Sequence, residues 1–469
     1  MSEPPGPNEP PGAASAPGPG GAPGRPSIRV RRGLRFLPLL GVVYCLSSAG
    51  PAGIEEIVPT SGPGLTLLLI LLMPVFFGLP LGLASGELSS RFPVEGGYYR
   101  WVRQVFGEYW GFQVGWWSWV GAFFDGALYA VLVAEYSDEF LPPTWRPAAR
   151  IVIPLLVIAG GTWINVRGIE IVGWSTLLFN IFLLAPFAVM CVLGLFHWNH
   201  NPLVPFTPPG KGALEGLGVG MLFMMWNYSG YESLSTAAEE VENPRRNYIR
   251  AILWAIAITI PTYFLPLLIG LAVAPDWTTL SAGSFTDIGR MIGGRSLALW
   301  IAAAGMVSNI ALSNTNLLAY SRVPFTMAED GYLPRFLTRT HGRHGTPWIA
   351  LLVTAFFYAV LVGLSVEVLA VVEMWLFSGV YILIFLALWK VRARPGAGGE
   401  APDGGYRYII PAGRRGIWWI ILPPIVLIVI SMFASGEEYI LSGGLGILSG
   451  ILIYPLVALW KRRRSATRA

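Results

Sequence analysis

Apolar stretches of roughly 18 residues or more recur along almost the entire chain after residue 33, and each can cross a hydrocarbon core of roughly 30 Å as a helix. That repetition leaves no room for a soluble domain between them. Only 13% of the 469 residues are charged, about half the share in an ordinary soluble protein, which suits a chain solvated largely by lipid. The pattern divides into twelve expected spans, at residues 34–58, 65–90, 109–140, 149–166, 170–196, 213–240, 248–273, 296–321, 347–364, 366–390, 416–434 and 437–460. Residues 1–27 are dominated by Pro, Gly, Ala and Ser and cannot bury a core. They are expected to form a disordered tail rather than a signal peptide, because the first apolar run begins only after Arg31, Arg32 and Arg35.

Twelve spans put both termini on one side of the membrane, and charge chooses the side. Basic residues gather from Arg25 to Arg35, at Arg91, Arg100 and Arg103, at Arg245, Arg246 and Arg250, from Arg322 to Arg343, from Lys390 to Arg415 and from Lys461 to Arg464. All of these fall on one face, against Arg146, Arg150, Lys211, Arg290 and Arg295 on the other. By the positive-inside rule the crowded face is cytoplasmic, so both termini are expected in the cytoplasm and the chain in the plasma (inner) membrane. The net charge of +5 builds no continuous basic face, which sets nucleic acid aside and leaves the basic clusters to fix topology and touch anionic lipid. Cys45 and Cys191 both lie in apolar stretches, so neither a disulfide framework nor a metal site is expected; no cofactor is implied. His197, His200, His341 and His344 fall in expected loops, leaving carboxylates for any proton relay inside the membrane.

Two spans are interrupted. In the first, Ser47-Ser48-Ala49-Gly50-Pro51-Ala52-Gly53 sets two glycines and a proline in the middle of the span, where proline removes a helix hydrogen bond and glycine loosens the chain. In the sixth, Trp226-Asn227-Tyr228-Ser229-Gly230-Tyr231-Glu232-Ser233 brings polar groups, a glycine and a carboxylate into an apolar helix. Either break alone would be a kinked structural helix. Five spans apart, at corresponding places in two five-helix halves, they point to an inverted-repeat transporter with its site near the midplane.

The motifs around these breaks resemble the amino acid/polyamine/organocation permeases. The resemblance rests on Gly50-Pro51-Ala52-Gly53-Ile54-Glu55-Glu56, on Phe92-Pro93-Val94-Glu95-Gly96-Gly97-Tyr98-Tyr99, on Gly111-Phe112-Gln113 with Trp116 and Trp117, on Trp226 with Glu232, on Ala238 to Arg246, and on Ser321 to Pro334. It implies an all-α membrane protein of twelve transmembrane helices, a five-plus-five inverted repeat (LeuT-like) with broken helices 1 and 6 and two additional C-terminal helices. The first repeat would occupy residues 28–196 and the second 197–392, followed by a cytoplasmic loop at 393–415, helices at 416–460 and a basic tail at 461–469. The first three spans are most similar to the plant-type polyamine uptake branch and its L-type amino acid transporter-like relatives, which share the Gly-Pro-x-Gly break and an aspartate like Asp125.

The first break should expose backbone at Ser48, Ala49, Gly50 and Gly53. Amides at the start of a half-helix can hold a carboxylate and carbonyls at the end of the other half an ammonium, so the backbone admits an amino acid or an amine. Ser47 and Ser48 either contact substrate or restore lost helix hydrogen bonds. The resemblance makes Trp226 an aromatic wall and Glu232 a proton-sensitive gate; the residues alone also allow Glu232 to be a structural acid bonded to Asn227. Asp125 stands among Trp116, Trp117, Trp119, Phe123, Phe124 and Tyr129, and an acid with aromatic faces suits an ammonium ion, although such rings also serve as packing or an interfacial belt. Tyr228 and Asn309 complete the expected substrate contacts. Coupling is expected at Glu232, Asp125 and Asn180, the last standing where many proton-coupled family members carry a lysine in place of a sodium ion. Without that lysine the interior is net anionic, which favours a cation. Glu55 and Glu56 either attract a cation or mark a solvated helix end, the more ordinary reading; Glu87 and Glu135 are vestibule or helix-end groups, and Glu95 and Arg322 are candidate inner-gate partners.

The chain lacks a nucleophile–base pair, a metal cluster and a phosphate loop, so no enzyme is implied, and its mostly apolar spans lack the continuous polar lining of a channel. The expectation is a secondary active transporter working by alternating access, taking up polyamines or cationic amino acids with protons. A neutral amino acid permease or exchanger, and a transporter-like sensor, are the alternatives. The expected partners are a small-molecule amine or amino acid, protons and membrane lipid, with no obligatory protein partner.

Overall fold

A computed structural model describes residues 36–48, 50–92, 96–167, 175–210, 212–231, 244–274, 276–393, 410 and 413–466. Among the described residues the regular structure is helical throughout, because a helix satisfies its backbone polar groups within the segment where lipid offers no partner. The elements run α1 (Phe36–Ser47), α2 (Pro63–Arg91), α3 (Gly97–Phe106), α4 (Glu108–Ser137), α5 (Arg146–Val166), α6 (Ser175–Gly194), α7 (Ala213–Asn227), α8 (Pro244–Val273), α9 (Ser284–Glu329), α10 (Trp348–Leu361), α11 (Val366–Ala393), α12 (Trp418–Ala434) and α13 (Glu437–Ala466).

Eight described helices are long and apolar enough to cross a membrane, and α10 and α12 are shorter apolar helices. Large side chains such as Phe356, Trp419 and Leu452 lie exposed on them, a surface that water would penalise and lipid does not. The chain is therefore a multi-pass membrane protein. Helix α4 packs along α9 and α11, and α4 and α11 are enclosed on nearly all sides, whereas α5 and α13 remain peripheral. The polar residues of α4 and α11 thus sit at the centre of the bundle.

Three departures from the sequence expectation have physical causes. The segment between spans two and three, expected as a loop, contains α3, which buries Tyr98, Tyr99, Trp101, Val102 and Val105 and leaves Arg103 half-exposed; this is helical periodicity in a segment too short to cross. Helix α2 widens to a π-helical turn at Pro74–Gly78, where a proline ring displaces the regular ladder. The expected span 296–321 belongs to the longer α9, which bends at Gly293 and Gly294; Gly294 takes a φ of 70° that favours glycine.

Candidate functional site

Helix α1 stops at Ser47, and the chain resumes as a 3₁₀ turn, Ile54–Ile57, running into a single helical turn, Val58–Ser61. Gly50 and Gly53 have φ of 76° and 93°, so a side chain would be strained at both. The freed backbone is largely satisfied from within. Ser47 Oγ donates to the Val43 carbonyl (2.9 Å), the Gly50 amide donates to Ser48 Oγ (3.2 Å), and the Gly53 amide donates to Glu55 Oε2 (3.0 Å). The Ile54 and Glu56 amides bond the carbonyls of Pro51 and Gly53. The amides expected to receive a substrate carboxylate are therefore engaged at Gly50 and Gly53; Ala49 lies outside the described residues.

Helix α7 ends at Asn227, and Gly230 follows with a φ of 92°. Asn227 Nδ2 donates to the Phe223 carbonyl (3.0 Å) and Ser229 Oγ to that of Trp226 (2.8 Å), closing the broken end locally. The Tyr263 hydroxyl on α8 joins the two breaks, 2.8 Å from Ser48 Oγ and 3.2 Å from the Asn227 carbonyl.

Between the breaks lies a cavity of about 40 Å³ lined by Ser47, Ser48, Asp125, Tyr129, Trp226, Asn227, Ser229, Gly230, Tyr263, Asn316, Ala319, Tyr320 and Glu373. It holds a few waters at most. Asp125, 2% exposed, accepts from Trp226 Nε1 (3.2 Å, to Oδ1) and from Asn316 Nδ2 (2.7 Å, to Oδ2). The Tyr129, Tyr320 and Glu373 side chains line the same recess. The Tyr129 and Trp226 rings lie 5.8 Å apart. Lysine, arginine and histidine are absent from the described lining. Chemically, this is a small recess of acidic and aromatic side chains able to hold a small cationic group.

The recess unites Ser48, Asp125, Tyr129 and Trp226 and omits other candidates. Tyr228 turns to α2 and donates to the Ile70 carbonyl (2.8 Å); Asn309 donates to Gly305 on its own helix (2.9 Å). Asn316, two turns further along α9, lines the cavity instead. Asn180 Nδ2 bonds the Gly41 carbonyl of α1 (3.2 Å), outside the lining. The rings of Trp116, Trp117 and Trp119 tie α4 to α13 and α10 through Ser449, Ile447 and Thr354, so that part of the aromatic stripe is packing. Glu232 and Glu95 lie outside the described residues. Glu373, Tyr320 and Tyr263 were not singled out by the sequence, which offered Asn316 only as a hydrogen-bonding residue beside Asn309; Glu373 carried the clearest signal, an acid in the middle of an apolar span.

The remaining acids close the two ends. Glu55 is fully buried rather than at a solvated helix end: besides Gly53 it accepts from the Tyr136 hydroxyl (2.8 Å) and the Gly283 amide (2.9 Å). Glu56 accepts from the Ala282 amide (2.7 Å). Together they fasten the segment before α9 onto the second half of the broken helix. At the other end, Glu87 is buried between Arg91 (2.7 Å) and Arg392 and also accepts from the Ile410 amide (2.9 Å). Glu135 pairs with Arg150 (3.1 Å).

Comparison with known proteins fits this geometry. The polyamine transporter RMV1 of Arabidopsis thaliana is 31% identical, over 89% of this chain and 84% of that protein. The polyamine transporter PUT1 of Oryza sativa subsp. japonica is 30% identical, over 92% and 80%, and the serine/threonine exchanger SteT of Bacillus subtilis 26%, over 82% and 86%. The crystal structure of MhsT in complex with L-phenylalanine superposes with a TM-score of 0.61 at 13% identity, covering 87% of this chain and all of that one, which shows a shared fold. The family model described as amino acid permease matches residues 36–449, and the chain belongs to that family, within the amino acid/polyamine/organocation superfamily.

Proposed function

We propose that the protein takes up polyamines or cationic amino acids with protons across the plasma membrane by alternating access. The observation that carries this reading is the recess itself: Asp125 and Glu373 share one aromatic cavity with no basic side chain in its described lining. A substrate ammonium would sit at Asp125, against Tyr129 and Trp226, gaining charge and cation–π attraction together. The engaged amides of Gly50 and Gly53 favour an amine over a ligand that must seat a carboxylate on them. Relatives named as polyamine transporters support the same substrate class.

In this reading the chain has twelve spans. Eight long helices, two shorter ones and the two interrupted segments supply them, with the breaks at matching places in two inverted five-helix repeats and both termini cytoplasmic. One group of helices rocks against the other around the breaks. Uptake of radiolabelled putrescine, spermidine, arginine and leucine into proteoliposomes, with and without an inward proton gradient, tests it. Saturable, gradient-stimulated uptake of putrescine, spermidine or arginine is expected; transport of leucine alone overturns the substrate assignment.

A further inference from the structure

We propose that the indole N–H of Trp226 is a placeholder for the substrate: it holds Asp125 Oδ1 until an ammonium displaces it and takes that oxygen. This rests on reading Asp125 as the ammonium site. Trp226 Nε1 donates to Asp125 Oδ1 at 3.2 Å, while Oδ2 accepts from Asn316 Nδ2 at 2.7 Å. An indole N–H can only donate. An ammonium presents the same kind of hydrogen to a carboxylate, several of them, with a positive charge behind.

Space makes the exchange necessary. The recess of about 40 Å³ holds a few waters at most, so an ammonium and the chain behind it need a side chain to give way. The two donors on Asp125 are held differently. Asn316 makes the shorter bond, from α9, which packs along α4. Trp226 makes the longer one, from the next-to-last residue of α7, beside a break where Gly230 has a φ of 92°. Of the two, the indole is the donor that can swing aside. Displaced toward its neighbour Tyr129, 5.8 Å away between ring centroids, it still presents an aromatic face to the cation.

The exchange sets a threshold for entry. A neutral donor that replaces the indole trades one hydrogen bond to the carboxylate for another and gains little. An ammonium adds attraction between opposite charges in a buried site, where it is worth far more than in water. Trp226 is thus a specificity-determining residue as well as a wall of the recess: it passes amines and refuses neutral solutes of the same shape. Its departure from Asp125 also unties that bond between α7 and α4, so the broken helix is released as the site fills.

The test is calorimetric titration of putrescine into the purified full-length protein with Trp226 replaced by β-(3-benzothienyl)alanine, which keeps the bicyclic ring and puts sulfur where the N–H stands. With no placeholder to displace, the variant is expected to bind putrescine about tenfold more tightly than the wild type, the equivalent of one hydrogen bond to a charged group. A Kd that is unchanged or raised overturns the proposal. Should the variant not fold, the wild type decides, titrated with the fully N-methylated, doubly quaternary analogue of putrescine, which keeps the charges and the chain but has no N–H to put in the indole's place. Binding about tenfold weaker than putrescine, or worse, supports the exchange; comparable binding overturns it. Wild-type protein that binds leucine and not putrescine instead overturns the reading of Asp125.

Discussion

The hydroxyl of Tyr263 stands 2.8 Å from Ser48 Oγ and at the same time reaches the carbonyl of Asn227, so one side chain on α8 fastens the ends of both interrupted helices. Removing that oxygen in Tyr263→Phe should cost about 0.5–1.5 kcal/mol of stability while leaving the ring packed against Tyr228. A change in turnover larger than the change in thermal unfolding would show that the bridge holds one state of the cycle; equal changes would show a purely structural bond.

Asp125→Asn keeps the shape of the recess and removes its charge. If the carboxylate holds an ammonium, the lost charged interaction of about 1.5–3 kcal/mol should raise the apparent Kd for putrescine roughly tenfold to a hundredfold. Calorimetric titration of the purified variant checks this, and an unchanged affinity would place the amine elsewhere.

Glu55→Ala strips two donors, the Gly283 amide and the Tyr136 hydroxyl, of their buried acceptor and leaves the Gly53 amide only its longer bond to the Tyr136 hydroxyl (3.3 Å). Each unsatisfied group costs about 1–3 kcal/mol, so the closure between the broken helix and the segment before α9 should loosen. A cysteine placed at Ser281 should react faster with a membrane-impermeant thiol reagent in this variant than in the parent. An unchanged rate would mean that Glu55 does not hold the closure.

Gly126→Ala is expected to be among the most disruptive small changes. A methyl there would run into the Tyr358 ring, and overpacking of this kind costs about 1–3 kcal/mol. Pairing it with Tyr358→Ala, which vacates the space, should recover part of the loss in a thermal-unfolding assay.

Much of the architecture was legible in the sequence because the bilayer dictates it: helix length follows from hydrocarbon thickness, and the Gly-Pro-Ala-Gly interruption has few other uses. Asp125 stood out for the same reason, as an acid where acids are costly. Glu373 satisfied that criterion too, alone amid the run from Val368 to Val380, but it lies outside the motifs that draw attention to the breaks. The choice between Asn309 and Asn316 was not legible, since both sit on α9 seven residues apart and only the bend and rotation of that helix decide which reaches the cavity. Nor was the fate of the break's amides. Whether Ser48 and Glu55 turn inward to bond Gly50 and Gly53 depends on the packing of Tyr263 and Tyr136, 215 and 81 residues away in sequence and set by tertiary contact.

The smallness of the recess separates a passenger from a blocker. In the proposed cycle a slender alkylammonium would be enveloped as the helices open and close again, with Tyr263 returning to Ser48. An ammonium borne on a bulky ring would reach the same acid from one side yet keep Tyr263 from its partner, holding the carrier ajar. Compounds of that shape are where inhibitors of this protein should be sought.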